Sequence, residues 1–128
     1  MSKAAMLLLE RLRSKATKGM RGFPLGTLAF YGPDDERASK LVASIVARKG
    51  AAPSPMQKWY SESGDVRNDL RILDEVLEFI DANGARSIVM PDRIIGCPHE
   101  EGIDYQGSVC PHCPFWAIRD RWTGEVIQ

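Results

Sequence analysis

The sequence predicts an α/β fold: a small three-stranded parallel βαβαβ sheet with strand order 2-1-3. Three observations point there. Short apolar runs at 27–31, 56–60 and 87–90 are bounded by Gly, Pro or Ser clusters, as strands are. Between them, apolar residues recur at helical spacing over 35–49 and 66–82. The chain of 128 residues is long enough to bury one core without disulfides.

Taken in order, residues 3–15 form a helix, with Met6, Leu8, Leu9 and Leu12 apolar and most basic residues elsewhere. Gly19, Gly22, Pro24 and Gly26 then interrupt regular structure. Residues 1–26 therefore read as a basic N-terminal helical arm, peripheral to a single α/β domain over 27–128. The run TLAFY at 27–31 ends at Gly32–Pro33 and reads as a buried strand. Asp34 is placed to cap a helix over 35–49, whose Ala38, Leu41, Val42, Ile45 and Val46 repeat at helical spacing up to Gly50. Met56 to Tyr60 follows Pro53 and Pro55 as a weaker strand. Val66, Leu70, Leu73, Val76, Leu77 and Ile80 mark a second helix, capped by Asp65 and stopped at Asn83–Gly84. SIVM at 87–90 is the third strand. The strongest strand, 27–31, belongs in the middle. The ends of 27–31 and 87–90 then lie side by side, where open α/β sheets bind ligands.

Net charge is zero, but its distribution is uneven. Residues 1–26 carry Lys3, Arg11, Arg13, Lys15, Lys18 and Arg21 against Glu10 alone, a balance of +5, and the remainder carries −5. Such a basic end docks on its own acidic body, meets an anionic macromolecule (protein or nucleic acid), or is a solvated helix. No apolar run approaches the ~20 residues of a membrane span. The apolar run at 4–9 ends at Glu10–Arg11 with no small-residue cleavage site after it, unlike a signal peptide. The expected location is the cytoplasm, where three cysteines point to metal ligation rather than disulfides.

All three cysteines and both histidines lie in GCPHEEGIDYQGSVCPHCPFW, residues 96–116. Cys97 and His99 make one pincer, Cys110 and Cys113 a second, and a Gly-containing segment joins them. Two such pincers supply a tetrahedral zinc site. The favoured ligand set is Cys97, His99, Cys110 and Cys113, because the third residue of a C-P-x-C pincer turns away from the metal and leaves His112 outside. Three thiolates and one imidazole close the coordination shell, so the zinc is structural. Three other readings stand beside this one. CPHC at 110–113 matches the active-site tetrapeptide of oxidising thioredoxin-fold proteins, but Pro114 follows at once and 15 residues leave no room for that fold. His99–Glu100–Glu101 followed by Cys110 and Cys113 is similar to the signature of zinc nucleobase deaminases. Only eight residues then separate the halves, and Cys97 takes the position that water needs. The last reading is buried, unligated cysteines.

The motifs YGPDD at 31–35, DVR at 65–67, GCPHEEGIDY at 96–105, CPHCPFW at 110–116 and RDRW at 119–122 together resemble a family of small uncharacterised bacterial proteins. The resemblance covers most of the chain. It implies a small cytoplasmic bacterial protein and carries no activity with it.

Asp34, Asp35, Asp92, Glu100, Glu101 and Asp104 fall where the strand ends meet, either as a cation or acid–base cluster or as caps, turns and solvent-facing groups. Trp59, Trp116 and Trp122 suit packing around the metal loop more than base stacking. Arg119 and Arg121 flank Asp120 and can pair with it. Two functions are weighed. The first is a zinc-stabilised binding module for a macromolecule. The alternative is a metal-dependent hydrolase or deaminase-like enzyme using the acidic residues beside the zinc. Four protein ligands favour the first, and three plus a water the second.

Overall fold

The computed structural model describes residues 3–19, 21–91 and 93–96. Helix α1 (Lys3–Thr17) leads into strands β1 (Leu25–Tyr31), β2 (Lys40–Val46) and β3 (Met56–Tyr60). A 3-10 turn at Val66–Asn68 precedes helix α2 (Leu70–Ala82), and strand β4 (Ser87–Val89) follows. The strands form one mixed sheet in the order β3-β2-β1-β4. β2 is antiparallel to both neighbours, whereas β1 and β4 are parallel.

The α/β class holds, but the three-stranded parallel sheet does not: the sheet has four strands and is mixed. The expected helix over 35–49 is instead β2, inserted between the strands at 25–31 and 56–60. Its spacing was ambiguous for a physical reason. Residues 40–45 are all buried, and apart from Lys40 both faces of the strand carry small or apolar side chains. Leu41, Ala43 and Ile45 occupy one face, and Lys40, Val42 and Ser44 the other. Within such a run, Ala38, Leu41, Val42, Ile45 and Val46 reproduce a helical spacing by coincidence. The β-branched Val42, Ile45 and Val46 pack well on a pleated surface. The juxtaposition of β1 with β4 does hold, with Leu25 opposite Ser87 and Thr27 opposite Val89.

Helix α2 forms inside the expected span 66–82 but starts only at Leu70, and it buries Ile72, Leu73, Val76, Leu77 and Ile80. Its cap is Asp69, whose carboxylate accepts the Ile72 amide at 3.1 Å. The expected cap, Asp65, caps the preceding 3-10 turn instead. Gly84, at φ +64°, ends the helical segment in the left-handed region.

Helix α1 differs from the expected peripheral arm. Ala5, Leu9 and Leu12 lie one above another at helical spacing and are buried in the same cluster as Leu28, Phe30 and Val76. The Gly-containing segment behind it is also tied down. The Arg21 amide donates to Ser87 Oγ at 2.6 Å, that hydroxyl donates to the Gly22 carbonyl at 2.9 Å, and the Arg86 amide donates to the Pro24 carbonyl at 2.8 Å. The sequence signal was weak because only a narrow stripe of α1 is apolar inward, while Met6 and Leu7 face solvent.

Both helices therefore cover one face of the sheet. On the other face, Ala29, Tyr31 and Val42 form a second buried cluster with Ile95. Thr27 and Ser44, opposed across β1 and β2, hydrogen-bond through their hydroxyls there. Lys40 is also buried on this face, with its ammonium 5.8 Å from the ring centres of both Tyr31 and Tyr60.

The packing of α1 makes a clear expectation. Leu12→Ala lowers unfolding free energy by about 2–5 kcal/mol, the cost of a core cavity. Leu7→Ala, at an exposed position of the same helix, changes it by less than about 0.5 kcal/mol. Urea denaturation measures both. Equal, small effects would return α1 to the status of an arm.

Candidate functional site

The four expected zinc ligands, Cys97, His99, Cys110 and Cys113, lie outside the described residues, as do His112, Asp92, Glu100, Glu101, Asp104, Trp116, Trp122 and residues 119–121. What is described is the platform from which that stretch departs. After β4 the chain stays beside β1. Ile94 bridges to Phe30 in parallel fashion, and the Ile95 amide donates to the Phe30 carbonyl at 3.0 Å. One step on, the Gly32 amide donates to the Gly96 carbonyl at 2.9 Å. The residue immediately before Cys97 is thus fastened to the carboxyl end of β1, as the strand-end argument requires.

Gly32 has a second duty. A Cβ there would stand 1.9 Å from the Arg37 carbonyl oxygen. Only glycine allows the chain to fold back so closely between β1 and β2. Asp34, expected to cap a helix, closes this turn instead: its Oδ1 accepts the amides of Glu36 (2.9 Å) and Arg37 (3.1 Å). Asp35 is exposed. Among the described residues, no group of three or more His, Cys, Asp or Glu side chains is placed to hold a metal ion.

The turn is braced from the other side by an ion pair that the sequence did not announce. Arg67 grips Asp65 in a fork, Nε to Oδ1 at 2.9 Å and Nη2 to Oδ2 at 2.6 Å. Asp65 also accepts the amides of Ala38 (3.0 Å) and Arg67 (2.9 Å), and Arg67 Nη2 reaches the Glu36 carbonyl at 3.1 Å. Arg37 in turn donates to the carbonyls of Ser61 and Gly64. Burial pushes the Asp65 carboxyl up. The Arg67 side chain, the two amides and the Arg67 charge outweigh that and hold it below its ordinary value. The Asp65 carboxylate correspondingly raises the Arg67 guanidinium, against the opposing effect of burial. The local spacing D-x-R was visible, but its target, a turn some 30 residues earlier, was not.

Trp59, expected to pack around the metal stretch, can be placed only against described residues. It is buried on the helical face, edge-on to Phe79 with ring centres 6.2 Å apart, and its indole N–H points to Glu75 Oε1 at 3.4 Å.

The basic end of the chain forms a site of its own. Lys15 and Lys18 at the end of α1, Arg21 behind it, and Arg86 just before β4 line one cleft of about 170 Å³, with Ser87 among its lining residues. No acidic side chain is among the described residues that line it. Composition revealed the first three cations. Arg86 was missed because it comes from the far end of the fold, 65 positions after Arg21.

Compared with known proteins, the chain matches no family model, no curated protein and no solved structure. No helix among the described residues is long and apolar enough to cross a membrane.

The Asp65 network sets a pH dependence. A carboxyl whose folded value lies below its ordinary 3.8 contributes stability in full above that value. The contribution is lost as pH falls through the depressed value. Asp65→Asn should cost about 1–3 kcal/mol at pH 7, since it leaves a half-buried guanidinium without its counter-charge. Urea denaturation across pH should show the gap between wild type and variant closing below pH 3.8. A gap that stays constant to low pH would contradict this account of the pair.

Proposed function

We propose that the chain is a small cytoplasmic binding module. One structural zinc ion, held by Cys97, His99, Cys110 and Cys113, orders the stretch after Gly96, and a macromolecule is recognised through the basic N-terminal helix. The observation that carries this reading is the anchoring of α1 on the core through Ala5, Leu9 and Leu12. A loose arm would scatter its cations. A fixed helix and the tied-down segment after it hold Lys15, Lys18 and Arg21 on one side of the fold, where they join Arg86. The uneven charge supports the same reading, since a chain of zero net charge concentrates its positive potential at this end.

The zinc assignment rests on the two pincers and on the fastening of Gly96 to Gly32. That fastening gives the stretch a fixed root, while its glycines and few aliphatic residues supply little packing of their own. The enzyme alternative, which uses acidic residues beside the metal, has less support. The Asp34 carboxylate is engaged by the amides of its own turn rather than offered to a crevice.

Elemental analysis of protein purified without added metal should give one zinc per chain. His112→Ala should keep that zinc and His99→Ala should weaken its binding. Metal-free protein of normal stability, or zinc lost on His112→Ala and kept on His99→Ala, would overturn the ligand set.

A further inference from the structure

The cleft at the end of α1 has a neighbour. A second depression of about 260 Å³ is lined by Ala16, Leu25, Ile88, Val89 and Met90, and it shares Ser87 and Ile88 with the first. One half of the combined groove is cationic and the other is apolar. We propose that this groove binds a phosphate group carried on a body with an apolar face, as the base gives one nucleotide unit, with the phosphate between Arg21 and Arg86 and the apolar face against Leu25, Ile88 and Val89. The proposal rests on reading the basic helix as a recognition face, and goes beyond it by naming the chemistry recognised.

The two arginines are organised rather than merely present. The backbone of Arg21 is held to β4 by the bond from its amide to Ser87 Oγ. Gly22, at φ +112°, brings the chain under the Arg86 guanidinium, and a Cβ at that glycine would stand 3.6 Å from Arg86 Nη1. That distance is ordinary contact, so it is the backbone conformation rather than space that favours glycine beside the guanidinium. A guanidinium offers a planar fork of donors matched to phosphate oxygens, and Lys15 and Lys18 add charge at the rim. No carboxylate among the described lining residues competes for the arginines. The apolar half is open as well: Val89 is 44% exposed at the floor of a depression, with Leu25 and Met90 half-buried beside it. A ligand with a phosphate alone would fill one half only. A ligand with both parts would cover apolar surface and meet the cations together.

The test uses the full, zinc-loaded chain and three probes: inorganic phosphate, AMP and a twelve-residue oligothymidylate. Binding is followed by amide shifts in nuclear magnetic resonance spectra. AMP should bind more tightly than phosphate and shift amides over 18–22 and 85–89. Arg21→Gln combined with Arg86→Gln should weaken AMP by about tenfold or more, the usual scale for losing charge-assisted bonds. Arg48→Gln combined with Lys49→Gln removes the same charge from an exposed turn outside the groove and should leave AMP binding unchanged. If the oligonucleotide binds and follows the same pattern, the phosphate comes from a strand. If AMP alone binds, it comes from a free nucleotide. Equal weakening by both double variants would overturn the groove as a site, as would amide shifts confined elsewhere or no binding of either phosphate or AMP. An oligonucleotide that still binds wild type and the groove variant alike, with AMP inert, would remove the groove and leave the basic helix as a recognition face. Complete inertness of all three probes would remove both for phosphate ligands.

Discussion

The backbone reversal at Gly32 is the constraint on which the rest of the fold depends. It is the point at which β1 stops and the chain must return as β2. Because the Arg37 carbonyl passes where a Cβ would be, the return is tight enough for seven residue pairs of β1 and β2 to align, Tyr31 opposite Lys40 and Leu25 opposite Val46. The same residue spends its amide on Gly96. The turn therefore sets the register of the hairpin and the starting point of the cysteine stretch at once. Asp34 closes the turn from within, and the Asp65–Arg67 pair closes it from outside by holding the Ala38 amide and the Glu36 carbonyl. Local backbone geometry and a distant ion pair thus fix the same few residues.

This arrangement explains how the two faces of the sheet differ. The helical face is built from large aliphatic and aromatic side chains, and the Leu9 and Leu12 of α1 and the stripe of α2 bury themselves against it. The opposite face is buried too, yet it holds hydroxyls and an ammonium. Thr27 and Ser44 satisfy each other, and Lys40 lies between two aromatic rings. A buried ammonium is costly unless its charge is answered, and the negative faces of Tyr31 and Tyr60 answer part of it. Ile95 packs on this face with Ala29, Tyr31 and Val42, directly before Gly96.

Much of the element list was legible in the sequence. Residues 3–15, 27–31, 56–60, 66–82 and 87–90 appear close to where α1, β1, β3, α2 and β4 form, the helices through their spacing and the strands as short runs bounded by turn residues. Residues 40–46 failed because a central strand buried on both faces has no alternation to display. The sheet was then one strand short and wrongly all-parallel, although the adjacency of β1 and β4 survived. The Asp65–Arg67 brace and the cationic cleft were illegible because each joins residues far apart in the chain. Their charges were countable, but their meeting was a product of the fold. The cysteine stretch is the reverse case: its Cys and His spacing is written locally in the sequence, and its residues lie outside those described.

We propose that the sheet and its two helices stand by themselves, and that zinc acts only on the stretch rooted at Gly96. Structural zinc contributes on the order of 10 kcal/mol of apparent binding free energy, and in a stretch whose sequence has few aliphatic residues that energy would go into local ordering. The most direct measurement is amide hydrogen exchange on the zinc-loaded and chelated chain. Protection over β1, β2 and α2 should be unchanged on chelation, while amides over 97–116 become fast. Loss of protection throughout the sheet would show that the metal stretch belongs to the core, and unchanged protection over 97–116 would show that no metal orders it.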